Sequence, residues 1–272
     1  MKNLANGVAA ITGAGGGIGR ALAITLAKRG CHLALADINQ QGLEQTRALV
    51  ADYPIKTSLH VVDVTDPEQV NRFAEEAFSA HGRITILINN AGITLQKSFA
   101  THSRADWQRV IGINLMGVIY GCQAFLPYLK QADQGHIVNM SSLAGFMGLP
   151  MQSSYCATKA AVRALSESLY TELKYDGIGV TSVHPGAIKT DIMKATLAES
   201  DDMDAATKTM ELAMRFALPV EVAAEKIVVA IEKNKQRLLI GLDSRMFEVL
   251  KRLLPSLSQK FMARMFARFK PA

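Results

Sequence analysis

The sequence predicts an α/β fold: a doubly wound parallel sheet of about seven strands with helices on both faces. Three observations predict it. Short runs of aliphatic and β-branched residues recur along the chain, each followed by an amphipathic helical stretch. The runs are apolar at successive positions rather than at alternate ones, as in strands covered on both faces. A glycine-rich stretch, TGAGGGIG at 12–19, directly follows the first run and opens the first helix.

The elements follow in order. VAAIT at 8–12 is the first strand, and residues 18–30 form the first helix. HLALA at 32–36 leads to a helix over 40–52, and SLHVV at 58–62 to one over 67–82. There Asp66 supplies an N-cap and Pro67 stands at the first helical position, where its missing N–H costs nothing. TILINN at 85–90 is the fourth strand. A long helical region from about Asp106 to Lys130 follows, then HIVNM at 136–140, a helix from about Ser153 to Tyr175, and VTSVH at 180–184. Pro219 and Glu221 open a helix over 220–234, and RLLIG at 237–241 is the last strand. No repeat or low-complexity linker interrupts the pattern before about Gly241.

With 272 residues, 49% of them apolar and 20% charged, the chain can bury a large core, which excludes disordered and collagenous classes. Cys31, Cys122 and Cys156 are odd in number and scattered, which argues against a disulfide framework and for a reducing, cytoplasmic setting. The histidines never adopt the close spacings of zinc sites, so no metal is expected. The N-terminal apolar stretch is too short for a signal peptide, and no other run is read as long enough to span a membrane. The net charge of +6 is local: from Arg245 onward there are seven basic residues and one acid, Glu248, and the rest sums to zero. A basic face of the kind that reads nucleic acid is therefore not expected on the body.

The glycines, Gly13, Gly15, Gly16, Gly17 and Gly19, sit where a strand meets a helix N-terminus, with Ile18 between the last two. Free backbone N–H groups and the positive end of the helix dipole favour a phosphate there, and side-chain-free backbone lets a diphosphate approach. Asp37 ends the second strand, eighteen residues beyond Gly19, where an acid accepts bonds from both hydroxyls of an adenosine ribose and repels a 2′-phosphate. No Arg or Lys lies inside the loop or directly after Asp37, so NAD is expected in preference to NADP. Tyr155 and Lys159, four residues apart in SYCATK, share one helix face. An ammonium near a phenol favours the phenolate and can bring an acid–base group toward neutral pH. Thirteen residues before Tyr155, a predicted strand ends in Ser141 and Ser142.

With these motifs the chain resembles the short-chain dehydrogenase/reductase family, ordinary single-domain type, from about Val8 to Gly241. TGAGGGIG is similar to its TGxxxGxG loop, Asn89-Asn90-Ala91-Gly92 to its NNAG motif, and YCATK to its YxxxK. The resemblance implies a Rossmann fold and transfer of hydride between NAD(H) and an alcohol or carbonyl compound. It makes Tyr155 the proton-transfer residue, and Lys159 the residue that lowers its pKa and holds the nicotinamide ribose. Ser142 rather than Ser141 holds the substrate oxygen, and Asn114 sustains a water-linked relay to the lysine. Asp63 and Val64 flank the adenine, Asn90, Ala91 and Gly92 line the cofactor, and Pro185, Gly186, Ile188 and Thr190 reach the nicotinamide. It further implies a homodimer or homotetramer. A catalytically silent dinucleotide-binding protein and a membrane-associated scaffold are the alternative functions.

Residues 1–242 then form one catalytic domain, with a segment at about 188–218 closing over the substrate, and 243–272 a basic amphipathic helical extension. Met193, Met210, Met214 and Phe216 either form an adaptable apolar wall or simply pack on the body. Leu143, Phe146, Met147, Leu149 and Met151 add apolar lining near Ser142, so a hydrophobic alcohol or ketone is expected. In the tail, Leu257, Phe261, Met265 and Phe269 recur every four residues beside a row of Lys260, Arg264 and Arg268. That helix can lie on an anionic membrane surface, fold over the substrate entrance, or pack on another subunit. The sequence leaves the three open.

Overall fold

Seven parallel strands lie in the order β3-β2-β1-β4-β5-β6-β7: β1 (Val8–Thr12), β2 (His32–Asp37), β3 (Thr57–Val61), β4 (Ile86–Asn89), β5 (Gly135–Met140), β6 (Ile178–Pro185) and β7 (Arg237–Ile240). The computed structural model describes residues 3–190, 207, 211, 214 and 217–267. The strand order reverses beside β1, which pairs with both β2 and β4: Ile11 faces Leu35 on one side and Ile88 on the other. A crevice therefore opens at the carboxyl ends of these strands, where doubly wound sheets bind ligands.

Two apolar layers cover the sheet. On one face Leu22 and Leu26 of α1 (Gly17–Ala27), Leu43 of α2 (Gln40–Val50), and Ile227 and Ile231 of α7 (Val220–Glu232) pack on Ile11, Leu35 and Ile88. On the other, Phe73 of α3 (Pro67–His81), Phe125 of α5 (Gly117–Lys130) and Val162 of α6 (Ser153–Leu173) pack on Ala10, Leu87 and Ile137. The Phe73 and Phe125 rings meet edge to face at 5.0 Å.

Asp66 caps α3 as expected, accepting from the Glu68 and Gln69 N–H groups. The helix expected from Asp106 begins at Arg104, because Ser103 and Asp106 form a capping box that starts α4 (Arg104–Ile111). One π-helical turn, Gly112–Met116, joins α4 to α5. Residues Arg104–Lys130 thus form one helical rod, long and apolar enough by length and composition to cross a membrane. This corrects the reading that no run reaches that length. The hydropathy has a physical reason in the fold, since Val118, Phe125 and Leu129 are buried against the sheet.

The C-terminal extension is two helices rather than one: α8 (Leu242–Leu253) and α9 (Pro255–Ala267). Leu254 leaves the helical region, with φ −134° and ψ 62°, because a residue preceding proline is disfavoured there.

Candidate active site

Within the glycine loop the five glycines differ in what demands them. Gly13 has φ +67°, and a Cβ there would come within 2.9 Å of the Asn90 amide and the Ala91 Cα. At Gly19 a Cβ would overlap the Gly13 carbonyl. These two are required by the protein itself. Gly16 is not: its backbone is extended and a Cβ there would meet no protein atom, yet it lines a cleft of about 1790 Å³. It also stands at the N-cap of α1, where no side chain caps the helix. The open backbone and uncapped N–H groups fit a diphosphate. Ile18 anchors the loop by packing on the core beneath, and Asn90 fastens it to β4 by donating to the carbonyls of Thr12 and Gly13 at 3.0 and 3.1 Å.

Asp37 lines the cleft at the end of β2. Its Oδ2 accepts from the Gly15 N–H at 2.8 Å and its Oδ1 from the Asn39 N–H at 2.9 Å, so the acid also ties the loop in place. A carboxylate has about four acceptor sites, which leaves capacity for ribose hydroxyls. Arg20, the basic residue nearest this corner, is committed elsewhere. Its guanidinium donates to the carbonyls of Gly15 and Gly42, to Gln45 Oε1 at 2.9 Å and to Thr46 Oγ1 at 3.0 Å. Asp63 and Val64 line the neighbouring wall. Asp63 Oδ1 accepts from the Thr65 N–H at 2.9 Å.

The acid–base group sits on the floor of the same cleft. Ser142, two residues past the end of β5, lines the cleft together with Tyr155 of α6. Its neighbour Ser141 lines the same cleft, but its hydroxyl is engaged, donating to the Lys159 carbonyl at 2.8 Å. Lys159 is 4% exposed, donates from Nζ to the Met140 carbonyl at 2.8 Å, and lies 5.7 Å from the Tyr155 ring centre. Asn114, buried in the π turn, pairs with the Ile93 backbone in both directions: its Nδ2 donates to the carbonyl and its Oδ1 accepts from the N–H, each at 2.8 Å. A Cβ on Gly92 would lie 3.2 Å from Asn114 Oδ1 and 3.4 Å from Lys159 Nζ, so these residues converge.

Electrostatics correct one expectation. Burial pushes the Tyr155 phenol above its ordinary value of 10.0, and the hydrogen bond from Ser142 pulls it back only in part. Burial likewise lowers Lys159 to about 8. Lys159 is still cationic at neutral pH, but at this separation it does not offset the desolvation of the phenol, so in this structure Tyr155 is a phenol rather than a phenolate.

Behind Ser142, His184 of β6 approaches the Ser142 carbonyl at 3.3 Å and Ser182 Oγ at 2.9 Å, and its ring lies tilted against Phe146 at 4.3 Å. Its burial lowers its pKa to about 3, so it is neutral and positions the serine. Pro185, Gly186, Ile188 and Thr190 all line the cleft, and Thr190 stands beside Gly17.

The substrate side departs further from expectation. Leu143 and Leu149 line the cleft. Met147 does not: it is 1% exposed and belongs to the core. Phe146 packs between His184 and Arg237. Met151 and Met214 are half-buried and outside the lining, Met151 holding a left-handed backbone with φ 64° whose carbonyl accepts from the Lys97 N–H. Met193, Met210 and Phe216 lie outside the described residues, as does most of the 188–218 segment. Among the described residues the apolar wall comes from α8, α9 and the residue between them, through Leu242, Met246, Leu250, Leu253, Leu254 and Met262. The extension folds over the entrance, one of the three arrangements left open by the sequence. Asp243 secures it, accepting from the Ala187 N–H at 2.8 Å beside the Pro185-Gly186 turn. The spacing of Leu242, Met246, Val249 and Leu253 carried that signal, whereas nothing in the sequence marks Asp243.

Comparison with known proteins agrees with this geometry. The family profile described as short chain dehydrogenase matches residues 7–201. A Mycobacterium tuberculosis protein carrying the name oxidoreductase SadH is 36% identical over 274 residues, covering 100% of this chain and 99% of its own. The 3-oxoacyl-[acyl-carrier-protein] reductase FabG of Thermotoga maritima is 34% identical, over 87% of this chain and 96% of its own. Among solved structures, a short chain dehydrogenase/reductase from Burkholderia phymatum in complex with NAD superposes with a TM-score of 0.87 at 30% identity, over 94% of this chain and 96% of that one. Levodione reductase superposes with a TM-score of 0.79 at 28% identity, over 90% and 99%.

Proposed function

The chain belongs to the short-chain dehydrogenase/reductase family and is an NAD(P)-dependent oxidoreductase; from that premise we propose that it interconverts an apolar alcohol and its carbonyl compound, using NAD(H) in preference to NADP(H). The observation that carries the reading is the meeting of Ser142 and Tyr155 in the lining of the cleft, with Lys159 buried beside them and the glycine loop in the same cleft.

The nicotinamide, when bound, supplies or takes up the hydride. The chain's own residues handle the proton. In reduction, Tyr155 gives its hydroxyl proton to the carbonyl oxygen while Ser142 donates to the same oxygen and stabilises the charge building on it. Burial favours the protonated phenol, so Tyr155 is set as an acid at neutral pH. In oxidation the same groups run in reverse, and the phenol must first lose a proton against its desolvation. Lys159, cationic below about pH 8, favours that loss and would hold a ribose hydroxyl of the bound cofactor. Asn114 fixes the Ile93 backbone beside it.

NAD is supported over NADP by Asp37 in the cleft wall, and Arg20, which shares a pocket with Asp37, is engaged with backbone carbonyls. An apolar substrate is supported by the wall of aliphatic and methionine side chains facing Ser142 and Tyr155. The test is a screen of secondary, long-chain and cyclic alcohols against sugars and charged hydroxy acids, with each cofactor, followed by NAD(P)H absorbance. Faster turnover of the apolar compounds with NAD is the expected result. A higher kcat/KM with NADP, or for charged or sugar substrates, would overturn it.

A further inference from the structure

We propose that α8 and α9 form a docking surface for an anionic lipid bilayer, presenting the mouth of the cleft to the lipid. The first observation is an unpartnered apolar row. Leu242, Met246, Val249 and Leu253 recur along one face of α8 and are 84%, 59%, 51% and 73% exposed; Leu257 and Phe261 extend the row onto α9 at 56% and 53%. Leu257 and Phe261 of the stripe thus face solvent, while Ser258 and Met262 face the body.

The second observation is continuity. The four residues of the α8 row also line the cleft that holds Ser142 and Tyr155, so the exposed apolar row and the reaction centre belong to one cavity.

Charge selects the occupant. Nearly all of the chain's excess of positive charge lies in this extension, seven basic residues against two acids, and those acids are turned inward: Asp243 bonds the Ala187 N–H, and Glu248, buried, accepts from Arg237 at 2.9 Å and Arg252 at 2.5 Å. Arg245, Lys260 and Arg264 are exposed and have no acidic partner among the described residues. Packing this face against the same face of a second copy would set cation against cation. An anionic headgroup layer neutralises the cations while its acyl region takes the apolar row, and the two signals together give stable peripheral binding where either alone is marginal.

Entry of substrate from the lipid rests on the apolar-substrate reading; the docking does not. The test is co-sedimentation of the full chain with phosphatidylcholine vesicles, with and without phosphatidylserine, at low and high salt. The expected result is binding at least about tenfold stronger to the anionic vesicles, weakened by salt. Phe261→Ser with Leu257→Ser should abolish it, and Lys260→Glu with Arg264→Glu should cost about the same. Neither pair touches the catalytic groups, so turnover of a short, water-soluble alcohol should be unchanged, which also shows that the variants fold. Absence of binding, or equal binding to both vesicles at all salts, would overturn the proposal. So would a drop in oligomeric mass by light scattering in Phe261→Ser without any vesicle binding, since a second copy then covers the face. Vesicle binding by a chain that turns over no apolar alcohol would sink the substrate reading and leave the docking intact.

Discussion

The glycine-loop wall and the C-terminal wall of the cleft face each other but are built by different physics. On the glycine-loop side, backbone groups meet backbone and short polar side chains: Gly13 against Asn90, Gly19 against the Gly13 carbonyl, the Gly15 N–H on Asp37. Almost every residue type there is forced, because a single added atom collides or a single lost acceptor leaves a donor unpaired. On the other side, α8 and α9 present aliphatic side chains of which about half the surface stays in water, fastened through Asp243 and Glu248. Many sequences could make such a wall. The difference teaches that cofactor chemistry is fixed by close backbone approach, whereas substrate choice rides on surfaces whose composition is free to vary.

That contrast is open to breaking, beginning where it predicts the most. Ser142→Ala should lower kcat by about 10²–10³, the usual loss for one oxyanion-type donor, with NADH affinity retained. Stopped-flow turnover together with NADH fluorescence titration checks this, and an unchanged kcat would remove Ser142 from the mechanism. Acid should act on the sheet beneath the cleft. His136 and His184 are buried on β5 and β6 with pKa values lowered from 6.5 to about 3. Because the folded-state values lie below the unfolded one, their neutral forms stabilise the fold fully above about pH 6.5, and that contribution is lost as pH falls toward 3. Each should cost about 1.4 kcal/mol per pH unit in that window. Denaturant titrations between pH 7 and 4 measure the slope, which His184→Asn should flatten.

Smaller effects sharpen the comparison of the walls directly. Gly19→Ala inserts a Cβ where the Gly13 carbonyl lies and should cost about 1–3 kcal/mol of stability along with cofactor affinity. Met246→Ala on the opposite wall removes more atoms, yet the side chain is half in water, so stability should stay within about 0.5 kcal/mol. Its expected signature is a lower kcat/KM for long apolar substrates and none for short ones. If the two substitutions were equally destabilising, the distinction between forced and permissive walls would fail.

The same distinction explains what was legible in the sequence. All seven strands and the order of the body helices were readable, since parallel strands buried on both sides are continuously apolar and Asp66-Pro67 marks its own helix start. Tyr155, Lys159, Ser142, Asn114 and the cofactor residues converge as the motifs implied, because a glycine or an i, i+4 pair carries its geometry with it. Met147 was misplaced because periodicity says that a methionine is apolar, not whether it faces a cleft or the core. The tail was read as one helix from the repeat that begins at Leu257, and the backbone restriction that Pro255 places on Leu254 divides it in two. The upward shift of the Tyr155 phenol was invisible too: four residues of spacing place the cation but say nothing of how deeply both groups are buried.

The most direct test of the account is Tyr155→Phe, which removes the one hydroxyl that exchanges a proton and leaves the ring, the loop and Lys159 in place. Turnover of the best alcohol should fall by at least about 10²–10⁴, while the dissociation constant for NADH stays within about twofold, a difference of ~0.4 kcal/mol. A variant that turns over at the original rate, or one that loses NADH binding in proportion to its activity, would contradict the assignment of Tyr155 as the proton-transfer group.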